Sequence, residues 1–232
     1  MTRLVAILLC CLFGIAAEAA AQSTSPPTVQ DGRVWFTGAV GDKFSKDSKW
    51  RWSIENIIRS REGISELDVY AFRPIIQYAL TSRSSVGGGY SYTPSYPPTG
   101  GVITENRWFE QYAWSGAVSG GTLALRSRLE QRFIEGNSGM LGRFRQQVRF
   151  SHVVSKGSKI SYIGYDELFV HLNNTTRSPR GVDQNRIFGG LGFALHKQVR
   201  FEAGYLNQFS PGHGKAAKMN HVLSTSLTIS LH

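Results

Sequence analysis

The chain has 232 residues, a net charge of +10 and 41% hydrophobic but only 18% charged residues, with 5 Trp, 9 Tyr and 13 Phe. So many aromatics and so few charges exclude a disordered chain, and the length suits one domain of barrel or sandwich size. The single long apolar run, residues 4–17, excludes a helical multi-span membrane protein, because each such helix needs about 20 apolar residues.

Residues 1–21 read as a cleaved signal peptide. Arg3 supplies the positive start, residues 4–17 the apolar stretch, and Ala19-Ala20-Ala21 the small-residue cleavage site. Cys10 and Cys11, the only 2 cysteines, leave with it, so the mature chain is expected to hold no thiol, disulfide or thiolate metal ligand. Arg3 and Glu18 leave together, so the charge stays at +10. Residues 22–32 are polar, contain Pro26-Pro27 and read as a leader before a single domain over 33–232.

From there the chain alternates with a period of two, the signature of strands with two different faces. Residues 50–55 alternate Trp50, Trp52 and Ile54 with Arg51, Ser53 and Glu55. Residues 122–134 place Thr122, Ala124, Arg126, Arg128, Glu130 and Arg132 on one face, and Leu123, Leu125, Ser127, Leu129, Gln131 and Phe133 on the other. Residues 143–152 set Arg143, Arg145, Gln147 and Arg149 against Phe144, Gln146, Val148 and Phe150. In 222–231, Ser224, Ser226, Thr228 and Ser230 alternate with Leu223, Thr225, Leu227, Ile229 and Leu231. No sustained i, i+3, i+4, i+7 apolar pattern calls for a helix. The segments are 33–44, 49–60, 66–81, 84–92, 105–116, 121–134, 141–154, 159–173, 184–196, 199–209 and 218–231, separated by glycine- and proline-rich connections. Pro74 alone among the prolines falls inside a segment, where a bulge or break is expected.

Most segments run eleven residues or more. Soluble strands average about 5–6 residues, whereas membrane-crossing strands need about 9–11. Trp35, Trp50, Tyr92, Trp108, Trp114, Tyr162, Tyr205 and Phe209 lie near segment ends, where interfacial girdles would sit. The fold class is therefore all-β: an antiparallel transmembrane β-barrel. The longest connections, 93–104, 174–183 and 210–217, each follow an even-numbered segment and so share one side, with the C-terminus on the other. Bacterial barrels have even strand numbers, so the eleven segments imply about twelve strands, with ten as the fallback.

A series of motifs runs along the mature chain: Arg33-Val34-Trp35; Arg73-Pro74; Glu105-Asn106-Arg107-Trp108-Phe109-Glu110-Gln111; the ladder Arg126, Arg128, Glu130, Arg132 followed by Arg143 and Arg145; Tyr165-Asp166-Glu167-Leu168-Phe169; Gln184-Asn185-Arg186; and Glu202-Ala203-Gly204-Tyr205-Leu206-Asn207-Gln208. In this order they resemble a bacterial family of unknown function thought to form outer-membrane barrels. The resemblance implies an outer-membrane location and no established activity or catalytic residues. The chain departs from the usual aromatic C-terminus of such barrels by ending in His232.

No chemistry-bearing constellation emerges. There is no phosphate-binding glycine loop and no H-E-x-x-H, and the 6 histidines have no ligand spacing. Ser230-Leu231-His232 is only a formal Ser–His pair, at a terminus where fraying is expected. No cofactor, metal or catalytic residue is expected, and the chain is not read as an enzyme. The basic residues alternate within strands of an exported chain, which disfavours nucleic acid as a partner. Arg126, Arg128, Glu130, Arg132, Arg143, Arg145 and Arg149 are instead the lumen-facing candidates, because lipid cannot accept their charge. Six arginines then meet one glutamate, and balance must come from Glu55, Glu167 or Glu202 across the lumen, or from mobile anions. The expected function is an outer-membrane barrel with an arginine-lined lumen, structural or a small anion-biased pore. Its partners are outer-membrane lipid, lipopolysaccharide and the barrel-assembly machinery. A soluble periplasmic β-protein binding an anionic or lipid ligand and a barrel enzyme acting on envelope lipids are the alternatives.

Overall fold

Residues 28–231 are described by the structure, a computed structural model. The signal peptide, its cleavage site, most of the leader and His232, with the Ser230–His232 pair, lie outside the described residues. Eleven strands follow one another: β1 (Val29–Lys43), β2 (Trp50–Arg61), β3 (Glu66–Ala79), β4 (Ser84–Ser95), β5 (Ile103–Val118), β6 (Gly121–Ile134), β7 (Leu141–Val153), β8 (Ile160–His171), β9 (Gly181–Ala194), β10 (Val199–Ser210) and β11 (Lys218–Ser230). Each pairs with its sequence neighbour, and β1 joins β11 to close the barrel. The single all-β barrel is thus as expected, and the eleven segments read from the sequence are its strands.

Parity is resolved at the seam. With an odd number of up-and-down strands the first and last run the same way, and β1 pairs with β11 in parallel from Val29↔Lys218 to Gly41↔Ser230. The described ends of the chain therefore lie on opposite rims. Val29 stands on the rim that carries connections 96–102, 135–140, 172–180 and 211–217, called here the long-loop rim. Ser230 stands on the short-turn rim, with the two-residue turn 119–120.

Three local readings are corrected. β1 begins at Val29, so residues 29–32 are strand and not leader. β3 runs through Pro74 without a break: Pro74 stays in register with Ile54. The missing donor shows as a sparse β3–β4 ladder between Val69 and Ile75, and the β3 bulge falls six residues earlier, at Asp68, the extra residue between Leu67 and Val69 opposite Arg59/Ser60. Pro94 also lies within a strand, opposite Thr104.

The faces follow the alternation. Leu129, Phe133, Phe144 and Leu223 are exposed on the outside, while Arg128, Glu130, Arg143 and Arg145 are buried inside. Outward-facing polar groups pair with one another: Tyr70 donates to Asn56 at 2.7 Å, Ser127 to Gln146 at 2.6 Å, Gln131 to Glu110 at 3.0 Å and Asn185 to Asp166 at 2.9 Å. Trp50, Tyr92, Trp108, Tyr162, Tyr205 and Phe209 are exposed outside, and Trp114 is half-buried. Trp35 is corrected: it is 6% exposed and points into the barrel.

Candidate functional site

The β6–β7 hairpin sets the site. Its register places Arg128 opposite Arg145 and Glu130 opposite Arg143, with all four side chains on the inner face. Two guanidinium groups directly across a ladder repel, so acids must come from elsewhere.

They do. Glu130, 0% exposed, accepts from Arg143 Nε at 2.8 Å and from Arg145 Nη1 at 2.8 Å, and lies 3.6 Å from Arg107 Nη1. Glu167 on β8 accepts from Arg145 Nη2 at 2.7 Å and from Arg126 Nη2 at 2.9 Å. Glu105 on β5 accepts from Arg132 Nε at 2.7 Å and Arg107 Nε at 2.8 Å. Glu202 holds Arg149 at 2.6 Å, and Glu55 holds Arg73 at 2.8 Å. All seven candidates read from the sequence lie inside the barrel, and Glu55, Glu167 and Glu202 each pair with an arginine. Asp183, turned inward at the bulge beside Phe169/Val170, adds a bond to Arg143 at 2.8 Å and one to His171 Nε2 at 3.4 Å.

Aromatic rings fill the space between the ion pairs. Phe169, 1% exposed, lies under Arg143, Arg145 and Arg186, whose guanidinium carbons are 5.1, 4.4 and 4.5 Å from its centroid. Arg128, 2% exposed, stacks on Phe109 at 4.1 Å and donates to Gln111 at 2.6 Å. Planar guanidinium groups suit both ion pairing and stacking. Glu130, Arg128, Phe109 and Phe169, none more than 2% exposed, form the centre of a packed plug across the long-loop half of the barrel.

The short-turn half is different. A cavity of about 380 Å³ runs from mid-barrel into it, lined by six arginines and by only three carboxylates, Glu55, Glu167 and Glu202. Its other wall is apolar and hydroxylic: Trp35, Phe188 and Leu206 belong to one cluster with Ile163 and Val222, and Ser224, Ser226 and Thr228 continue it. Glycines make room for that wall. A Cβ on Gly190 or Gly204 would come within 2.7 Å of the Phe188 ring and 2.4 Å of a carbonyl oxygen, so the ring lies flat against the strands only because both are glycine. Phe188 also stacks on Tyr165 at 4.9 Å.

Arg59 and Arg186 line this cavity and make no ion pair among the described residues. Both rest on Trp35, at 4.2 and 5.0 Å from its centroid. Arg59 Nε, Arg73 Nε, Arg186 Nε and Trp35 Nε1 are buried donors with no hydrogen-bond partner in the structure. Each such donor left unmade costs about 1–3 kcal/mol. The candidate residues read from the sequence omit these groups, although the Arg51, Ser53, Glu55 alternation, continued by two steps, leads through Ile57 to Arg59.

The sequence pattern of a family described as "Protein of unknown function (DUF2490)" matches residues 32–220. An uncharacterized protein of Methylorubrum extorquens is 32% identical over 235 residues, covering 98% of this chain and 97% of its own. No solved structure matches.

Proposed function

The chain belongs to the DUF2490 family of proteins of unknown function, and from that premise we propose that it is an integral outer-membrane β-barrel, closed across its lumen and open as a basic cup toward the periplasm. The observation that carries the closure is Glu130, wholly inaccessible to water between Arg143 and Arg145. Fixed acids, rather than mobile anions, balance the arginine ladder where it is deepest. The strand lengths, the exposed outer leucines and aromatics, and the cross-strand pairing of outward polar groups support a lipid-facing wall, because polar groups in hydrocarbon need partners. Long loops outside and short turns in the periplasm give the orientation. The protein is then a structural or ligand-holding barrel and not a conducting pore.

Localisation tests the first part. The mature protein is expected in the outer-membrane fraction after a salt wash, with migration on gels that shifts on heating; recovery as free periplasmic protein would end the reading. Topology tests the second. The mature chain lacks cysteine, so single cysteines report cleanly. On intact cells a membrane-impermeant maleimide is expected to label Gln30→Cys on the long-loop rim and to spare Ser230→Cys on the short-turn rim until the envelope is opened. The reverse pattern would invert the cup.

Conductance separates the closed barrel from an anion-biased pore. In planar bilayers the wild type is expected to give conductance near zero. Arg128→Gln with Arg145→Gln is expected to lower unfolding stability and leave conductance near zero. A wild-type channel whose reversal potential in a salt gradient is shifted by this pair of changes would favour the pore.

A further inference from the structure

We propose that the cup is a binding site for a small organic anion, its charged group held by Arg59 and Arg186 and its apolar body lying on Trp35, Phe188 and Leu206. The inference deepens the reading of the barrel as a one-ended cup and rests on it.

Three observations converge on one place. The first is charge. Arg59 and Arg186 rest on the same indole with no carboxylate in ion-pair reach among the described residues. Like charges held together in the poorly hydrated interior of a barrel repel strongly, and an anion between them relieves that repulsion. Arg128, a buried arginine of the plug that also has no acid among the described residues, differs in that it does not line the cavity.

The second is hydrogen bonding. The four orphaned groups at this place, Nε of Arg59, Arg73 and Arg186 and Nε1 of Trp35, are all donors. Buried polar groups are normally satisfied, so the missing partner is an acceptor. Guanidinium groups suit phosphate and carboxylate oxygens in particular. Hydroxyls of Ser224, Ser226 and Thr228 line the same cavity.

The third is shape. The cavity of about 380 Å³ falls within the range of small-molecule sites, about 300–1,000 Å³, and is too small for a whole phospholipid. Cations line one side and the Trp35–Phe188–Leu206 cluster the other, which fits a molecule with one anionic end and one apolar body. The approach is also basic: beside Arg126 a second cavity of about 280 Å³, lined by Arg51 and Arg83, contains no carboxylate. Such a mouth raises the local concentration of anions and speeds their entry.

Calorimetry on the full-length mature barrel in a neutral detergent tests this, with 2-naphthyl phosphate, 2-naphthol and inorganic phosphate as probes. Naphthyl phosphate is expected to bind one per barrel, with affinity that falls as salt rises. Arg59→Gln with Arg186→Gln is expected to weaken it at least tenfold while leaving the heat-modifiable band in place, because neither residue holds a structural acid. Inorganic phosphate is expected to bind more weakly and naphthol not at all. Should the double variant fail to fold, Ser226→Glu, which sets a fixed anion in the cup, is expected to abolish binding alone. Equal binding of naphthol, equal binding of inorganic phosphate, unchanged binding in the folded variants, or no binding at millimolar probe would each overturn the proposal. Failure of the cup itself reads differently: the same wild-type preparation would then conduct across a bilayer.

Discussion

Replacing Glu130 with glutamine is expected to lower the unfolding stability of the barrel by about 3–5 kcal/mol, the cost of removing one partner from a buried ion cluster. The side chain keeps its size, so packing is not at issue. Glu130 is the shared acceptor of Arg143 and Arg145, with Arg107 close by. Without its charge three guanidinium groups face one another within the packed plug, and Asp183, Glu167 and Glu105 are already engaged with arginines. Unfolding in denaturant from lipid vesicles measures the loss. Arg143→Gln is expected to cost less, because Arg145 and Arg107 still neutralise Glu130. A Glu130→Gln barrel as stable as wild type would mean that the plug is hydrated, and the closed lumen would fall with it.

Lysine at Leu129 or Leu223 is expected to cost about 2–4 kcal/mol each, the penalty for a cation on the lipid face near the bilayer midplane. Both leucines are exposed on the outside, in the middle of β6 and β11. Lysine at Ser226 is expected to be tolerated: Ser226 lines the cup, and its partner on β10 is Glu202. The same unfolding assay in vesicles reads all three variants. In a purely aqueous setting the outward lysines would be neutral, so equal tolerance at all three positions would remove the membrane from the account. A penalty at Ser226 and none at the leucines would mean the faces are exchanged, since a one-residue slip exchanges them.

The strands were legible because their period is two and each runs twelve residues or more. Most of the boundaries read from the sequence fall within two residues of the observed ones, the largest gaps lying at Val29, Ser95 and Gly181. The inner face of β6 and β7 was legible from the same alternation: with Leu129, Phe133 and Phe144 on one face, Arg126, Arg128, Arg132, Arg143, Arg145 and Arg149 fall together on the other. Trp35 was not legible. Residues 34–40 are apolar or small on both faces, so alternation gives no direction, and an aromatic near a strand end looks like a girdle residue. The strand number could be counted but not confirmed, because parity is a regularity of the class, and a parallel seam between β1 and β11 satisfies closure as well.

Local facts were legible in the residues alone: eleven amphipathic segments, read as about twelve strands, the order of the family's motifs, and the face on which each arginine of the β6–β7 hairpin lies. These depend on neighbours two residues apart, and the chain states them directly. Which acid meets which arginine is a matter of closure. Arg126 with Glu167, Arg149 with Glu202 and Arg143 with Asp183 are separated by 41, 53 and 40 residues, and only strand register, the barrel's curvature and the bulge at Asp183 bring them within 3 Å. The same closure gathers Glu105, Glu130 and Asp183 with their arginines toward the long-loop rim and leaves Arg59, Arg186 and Trp35 facing a cavity.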